Sequence, residues 1–173
     1  MDLSLVEREN VLLGQDFLTW LWFKTDNDTV LFSLADKRTF TVHMEQRVSV
    51  QGGEGEGIET ATVSSPRGEL TEAKTGLRTG KKVNKAQLLF TMDQDQWLVQ
   101  VSAADFGLSG LKPPKISAKD DEGDDPDAKF LEKMFLLERC LEMFDVVFTQ
   151  FLALRMSRDW AEETARVGRW ING

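Results

Sequence analysis

Gly76-Leu77-Arg78-Thr79-Gly80-Lys81-Lys82 carries the glycines and cations from which phosphate-binding loops are made. Such a loop cradles phosphates in its backbone N–H groups, sets a lysine on them and places a Ser or Thr hydroxyl on magnesium. Here three residues separate the glycines instead of four, and Lys82 stands where the hydroxyl belongs. A second glycine-rich stretch, Gln51 to Gly57, contains Glu54 and Glu56, which repel phosphate, and no helix start follows it at once. It reads as a hairpin tip. Lys119 to Asp127 holds six carboxylates in nine positions and could chelate a metal, but the order is not that of an EF-hand loop. It reads as a solvated linker leading into the positive end of the next helix. Asp127-Ala128-Lys129 has the carboxylate and lysine of some nuclease sites, without an identifiable acidic partner on a neighbouring strand. No serine sits in a Gly-x-Ser-x-Gly elbow, and His43 is the one histidine that could serve a triad as base. With Cys140 as the one cysteine, no zinc-finger ligand set exists. The residues therefore point to a non-catalytic protein, with no cofactor, no metal and no small-molecule ligand evident.

What remains is a charge island. Arg67, Lys74, Arg78, Lys81, Lys82 and Lys85 stand against Glu69 and Glu72, a local excess of +4 inside a chain of net charge −8. Such a patch can neutralise phosphates and give salt-dependent binding that ignores base sequence. The alternative is a solvated helix end, in which Arg78, Lys81 and Lys82 offset the negative end of the helix dipole.

These residues must be positioned by elements that periodicity reveals. A first helix reaches about Lys24, and Phe17, Leu18, Trp20, Leu21, Trp22 and Phe23 leave it little polar surface, which predicts burial. Thr29 to Leu34 reads as a strand. Phe40, Val42 and Met44 alternate with Thr41 and His43, and Val48 and Val50 continue the pattern, so His43 falls on the opposite, exposed face. Ile58 to Val63, Ala86 to Met92 and Trp97 to Val101 are further strands, the last two joined by the polar turn Asp93 to Gln96. Glu69 to Thr79 reads as a short helix ended by Gly80, with Leu70, Ala73 and Leu77 as its apolar stripe. Leu108 to Ile116 is extended, because Pro113-Pro114 forbids helix.

The strongest periodic signal lies near the C-terminus. Phe130, Met134, Leu137, Leu141, Phe144, Phe148 and Phe151 are spaced alternately four and three apart, the seven-residue seam of a helix running from Asp127 to about Arg155. Leu136, Cys140, Met143, Val147 and Leu154 broaden one flank, where Cys140 reads as a small core residue. A helix of this length spans the whole domain, so part of its face, with Phe144, Phe148 and Phe151, is expected to be free for a partner. Asp159-x-x-Glu162 resembles the capped start of a last helix, with Trp160, Thr164, Val167 and Ile171 on one face.

The order of elements makes this an α+β protein: a largely antiparallel sheet packed against a buried N-terminal helix, a long C-terminal helix and a short terminal helix. The 173 residues, 41% hydrophobic and 29% charged, suit a single domain, with sheet over about 25–117, the acidic loop at 118–127 and helices over 128–172. The longest strongly apolar run, Phe17 to Phe23, is far short of a membrane span, and the N-terminus lacks a secretory pattern. A cytoplasmic location is the expectation.

The succession of motifs also has a family likeness. Leu13-Gly14-Gln15-Asp16-Phe17-Leu18-Thr19-Trp20-Leu21-Trp22-Phe23, Glu72 to Lys81, the Trp97 strand, Ser109 to Pro114, Phe130 to Glu138, Phe148-x-x-Phe151-Leu152-x-x-Arg155 and the Trp160 and Trp170 helix resemble, in order, the C-terminal half of RdgC-like recombination-associated proteins. The resemblance covers about Leu12 to Ile171; the family's N-terminal half has no counterpart. It implies a non-enzymatic, nucleoid-associated protein that binds double-stranded DNA without sequence specificity. It also implies association as a homodimer or hetero-complex and restraint of RecA-type recombination. Arg67, Lys74, Arg78, Lys81, Lys82 and Lys85 would be its phosphate contacts. The alternative is a protein-interaction subunit that docks through its phenylalanine-rich helix without touching DNA.

Overall fold

Alternating apolar residues build a six-stranded antiparallel sheet. The chain is seen in a computed structural model, which describes residues 3–52, 59–64, 71–115 and 126–173. The strands are β1 (Leu31–Ser33), β2 (Thr39–Gly52), β3 (Glu59–Ser64), β4 (Lys82–Met92), β5 (Asp95–Ser102) and β6 (Leu108–Lys112). β2 is the spine. One of its edges pairs with β4, and its other edge is shared end to end by β1, at Thr39 to Thr41, and β3, at Arg47 to Gly52. β5 and β6 follow β4 outward. β1 is shorter than the expected Thr29 to Leu34, because α1 runs on through Asn27 and uses up the approach. β4 begins earlier than Ala86, so Lys82 and Lys85 lie on a strand and not on a helix end.

Val42, Val48, Val50, Val83, Ala86, Leu88, Phe90, Trp97, Val99 and Val101 point to one face and are all at most 1% exposed. Four helices supply what covers them: α1 (Leu3–Asn27), α2 (Thr71–Arg78), α3 (Pro126–Arg155) and α4 (Trp160–Asn172). α1 lies across β2 and β4, as its continuous apolar surface requires, with Phe17, Leu18, Trp20, Leu21 and Trp22 buried. A Cβ at Gly14 would overlap the backbone carbonyl of Ala103, so α1 rests on the turn after β5 at an approach that only glycine permits. Gly14→Ala is expected to lift the helix and lower stability by about 1–3 kcal/mol. A urea midpoint equal to that of the parent would show that the contact carries nothing.

Pro126 opens α3 at the position where a missing N–H costs no hydrogen bond. The helix is 30 residues long, about 45 Å at 1.5 Å per residue. Its buried line is Leu136, Cys140, Met143, Val147 and Phe151, while Phe130, Met134 and Leu141 are 62%, 40% and 54% exposed. Only the C-terminal end of the seven-residue seam, Phe144, Phe148 and Phe151, therefore turns toward the core. That spacing suits a helix wound around another helix. Here α3 sits against α1 and a sheet, with Trp97 Nε1 donating to the Leu136 carbonyl at 2.9 Å, and it turns its broadening flank inward. Cys140 is fully buried as expected, and burial pushes its thiol up to about 11.

α4 closes the layer. Asp159 precedes it, but its side chain caps no backbone N–H; Ser157 Oγ instead accepts the Asp159 N–H at 3.1 Å. Glu163, 5% exposed, is the anchor: its carboxylate receives Trp20 Nε1 at 3.1 Å, Lys24 Nζ at 2.6 Å and Arg166 at 3.3 Å. A buried carboxylate needs such partners to stay charged. Among the described residues, no helix is long and apolar enough to cross a membrane.

Candidate nucleic-acid interface

The six cations of the charge island separate into distinct roles. Lys74 and Arg78 lie on α2 and hold helices together. Lys74 Nζ is 2.6 Å from Asp26 Oδ2 at the end of α1 and stands 4.8 Å over the Trp170 ring. Trp170 Nε1 donates to the same Asp26 oxygen at 2.9 Å. Arg78 Nε donates to the Ile171 carbonyl at 2.7 Å, where a positive charge meets the negative end of α4. Arg78 therefore does for α4 what the helix-end alternative had it do for its own helix. Lys81 follows the Gly80 turn, its backbone N–H bound to the Gly76 carbonyl at 3.0 Å. Lys82 is exposed at the start of β4 and lines a groove between α1 and α4. Arg67 lies outside the described residues.

Lys85 is placed differently. The β2–β4 register shifts between Ser49 and Val50, with Asn84 as the extra residue, and the Asn84 carbonyl accepts the Ala103 N–H at 2.8 Å. Such an irregularity re-aims the side chains beside it. Val83 and Ala86 both stay on the buried face, and Lys85 turns to the opposite one.

Among the described residues, no helix covers that opposite face, where Lys85 is exposed and Gln100 half-buried. Lys85 there shares a hollow of about 390 Å³ with Arg47, Ser49, Thr62, Asn84 and Gln100. The register explains the grouping: Ser49 pairs with Thr62 on one side and Lys85 on the other, and Gln87 pairs with Gln100 in the next row. Thr62 Oγ1 donates to Ser49 Oγ at 3.3 Å. Among the described residues, no carboxylate lines the hollow. Asp105 is close enough to feel Lys85, although its carboxyl is held below the usual range first by the Gly107 N–H and then by Ser102. The hollow thus offers two cations, hydroxyls and amides, the groups that contact nucleic-acid phosphates.

Arg47 was missing from the expected set because it lies outside the stretch from Arg67 to Lys85. The alternation of Val48 and Val50 already put it on the face opposite the core. The pairing of β2 with β4 then brings it to Lys85.

The residues expected at a partner interface serve the core. Phe151 is fully buried, its ring centroid 5.3 Å from Phe17, 5.4 Å from Trp20 and 5.7 Å from Trp160. Phe144 and Phe148 are half-buried against Phe17 at 5.7 and 5.3 Å. Phe151, enclosed by its own chain, cannot dock a partner, so that part of the assignment is corrected, while Phe144 and Phe148 keep only part of their surface free. The large apolar side chains that α3 does expose are Leu141 and, about two and a half to four turns before Phe144, Phe130, Leu131, Met134 and Phe135. Among the described residues, no group of three His, Cys, Asp or Glu is placed to hold a metal. Most of the acidic stretch from Lys119 to Asp127 lies outside them.

No protein-family model, curated protein or solved structure matches the chain.

Proposed function

We propose that the chain is a non-catalytic module that binds double-stranded DNA without sequence specificity, through the uncovered face of its sheet. The observation that supports this reading is that Arg47 and Lys85 flank one open hollow in which, among the described residues, no carboxylate takes part. Both side chains are exposed, in a protein whose net charge of −8 makes such a region exceptional. The motif likeness to RdgC-like proteins supports the same class of ligand. Of the cations first considered, Lys85 belongs to this surface, Lys82 opens on the groove between α1 and α4, and Lys74 and Arg78 are structural.

Binding driven by phosphate neutralisation releases counterions, so affinity falls with a log–log salt slope of about −0.9 per phosphate contacted. With about three contacts, raising salt from about 50 to about 200 mM should weaken binding on the order of 50-fold. Fluorescence anisotropy with two labelled duplexes of unrelated sequence tests this. Equal affinities and the steep salt dependence are expected. Failure of both duplexes to bind at the lower salt would refute the proposal.

A further inference from the structure

The exposed start of α3 has a chemistry that specifies what covers it. Phe130, Leu131, Met134 and Phe135 are 62%, 66%, 40% and 53% exposed. They recur at i, i+1, i+4 and i+5, which places them along one side of the helix over two turns. An exposed apolar cluster of this kind marks an interaction site. On the same helix lies a hollow of about 310 Å³ between α3 and the β1–β2 turn, whose described lining includes Asp36, Glu142, Asp145 and Arg139. Arg139 joins the two regions: its guanidinium stands 5.3 Å from the Phe135 ring centroid and bridges Asp36 at 3.1 Å and Glu142 at 3.0 Å. Asp36 is also bridged by Arg38 at 3.1 Å, so three carboxylates against two guanidinium groups leave one excess negative charge in the hollow, and the exposed Glu138 beside it adds a second. Glu138 lies between stripe and hollow on the same side of α3.

We infer that this surface docks a basic amphipathic helix of a partner protein. The partner's apolar face would lie along Phe130, Leu131, Met134 and Phe135, and a Lys or Arg would reach the hollow at Asp36, Glu142 and Asp145. Helix-in-groove recognition reads anchors of this spacing. Charge complementarity decides between occupants. A second copy packed α3 against α3 would bring Glu138, Glu142 and Asp145 of each chain toward the same negative surface, and like charges brought together at an interface cost several kcal/mol. The stretch of this chain that leads into the helix, Asp120 to Asp125, is itself acidic. A cationic helix meets attraction on the same surface.

The test uses the whole chain and a fluorescein-labelled synthetic amphipathic helix of leucine and lysine. Two controls keep its length, one with glutamate replacing lysine and one with serine replacing leucine. The leucine–lysine peptide should bind, and both controls should bind at least about tenfold more weakly. Leu131→Ser with Phe135→Ser changes only exposed side chains, so circular dichroism should stay that of the parent while peptide binding falls at least about tenfold. Three results would each overturn the inference: equal binding of the serine control, undiminished binding by the double variant, or a dimer in sedimentation that the double variant dissolves.

Discussion

Phe17→Ala is expected to cost about 3–5 kcal/mol, the range for emptying a fully buried phenylalanine site. The reason is where this ring stands. It is fully buried, with ring centroids at 5.3 Å from Phe148 and Phe151, 5.7 Å from Phe144, 6.2 Å from Phe106 and 6.5 Å from Trp20. Edge-to-face pairs such as those with Phe144 and Phe148, at 81° and 90°, add to what area burial alone supplies. Phe17 therefore holds α3 to α1 and reaches Phe106, in the connection between β5 and β6. Neighbouring side chains cannot collapse into the space without moving α3, which spans the domain. Phe130→Ala is the matched comparison, since Phe130 is mostly exposed and should change stability by less than about 0.5 kcal/mol. Urea denaturation of the two variants checks both expectations. Similar midpoints would mean that the aromatic cluster does not organise the core.

The fold was largely legible because its elements announce themselves by period. Alternation from Phe40 to Met44, resumed at Val48 and Val50, and again from Ala86 to Met92 marked strands, and the continuous apolar surface of Phe17 to Phe23 marked a buried helix. The rotation of α3 was not legible. Phe130, Met134 and Leu141 make one apolar line, and Leu136, Cys140, Met143 and Val147 make another. Spacing alone does not say which of two apolar lines a sheet and a crossing helix will take. The answer came from partners far away in sequence, such as Trp97 and Phe17.

The charge island failed as a unit for a related reason. Neighbourhood in sequence suggested one patch, but Lys74 and Arg78 are decided by Asp26, Trp170 and Ile171, each tens of residues distant. Lys85 is decided by a strand irregularity at Asn84, and Arg47, which lines the same hollow, comes from a different strand. Cross-strand registry, which composition does not carry, assembled the site.

Charge reversal at that site tests the central claim. Arg47→Glu with Lys85→Glu replaces two phosphate contacts by two repulsions on exposed side chains, leaving the buried face of the sheet untouched. Each phosphate contact removed should reduce the salt slope by about one. Anisotropy with a labelled duplex at about 50 mM salt should therefore show at least about a 30-fold loss of affinity, and a slope falling from about −3 to about −1. Lys74→Met is the companion, because Lys74 is held by Asp26 and Trp170: it should lower the urea midpoint and leave DNA affinity within about twofold. If the double reversal binds duplex as tightly as the parent, or if Lys74→Met abolishes binding while Arg47→Glu with Lys85→Glu does not, then the uncovered sheet face is not where DNA is held.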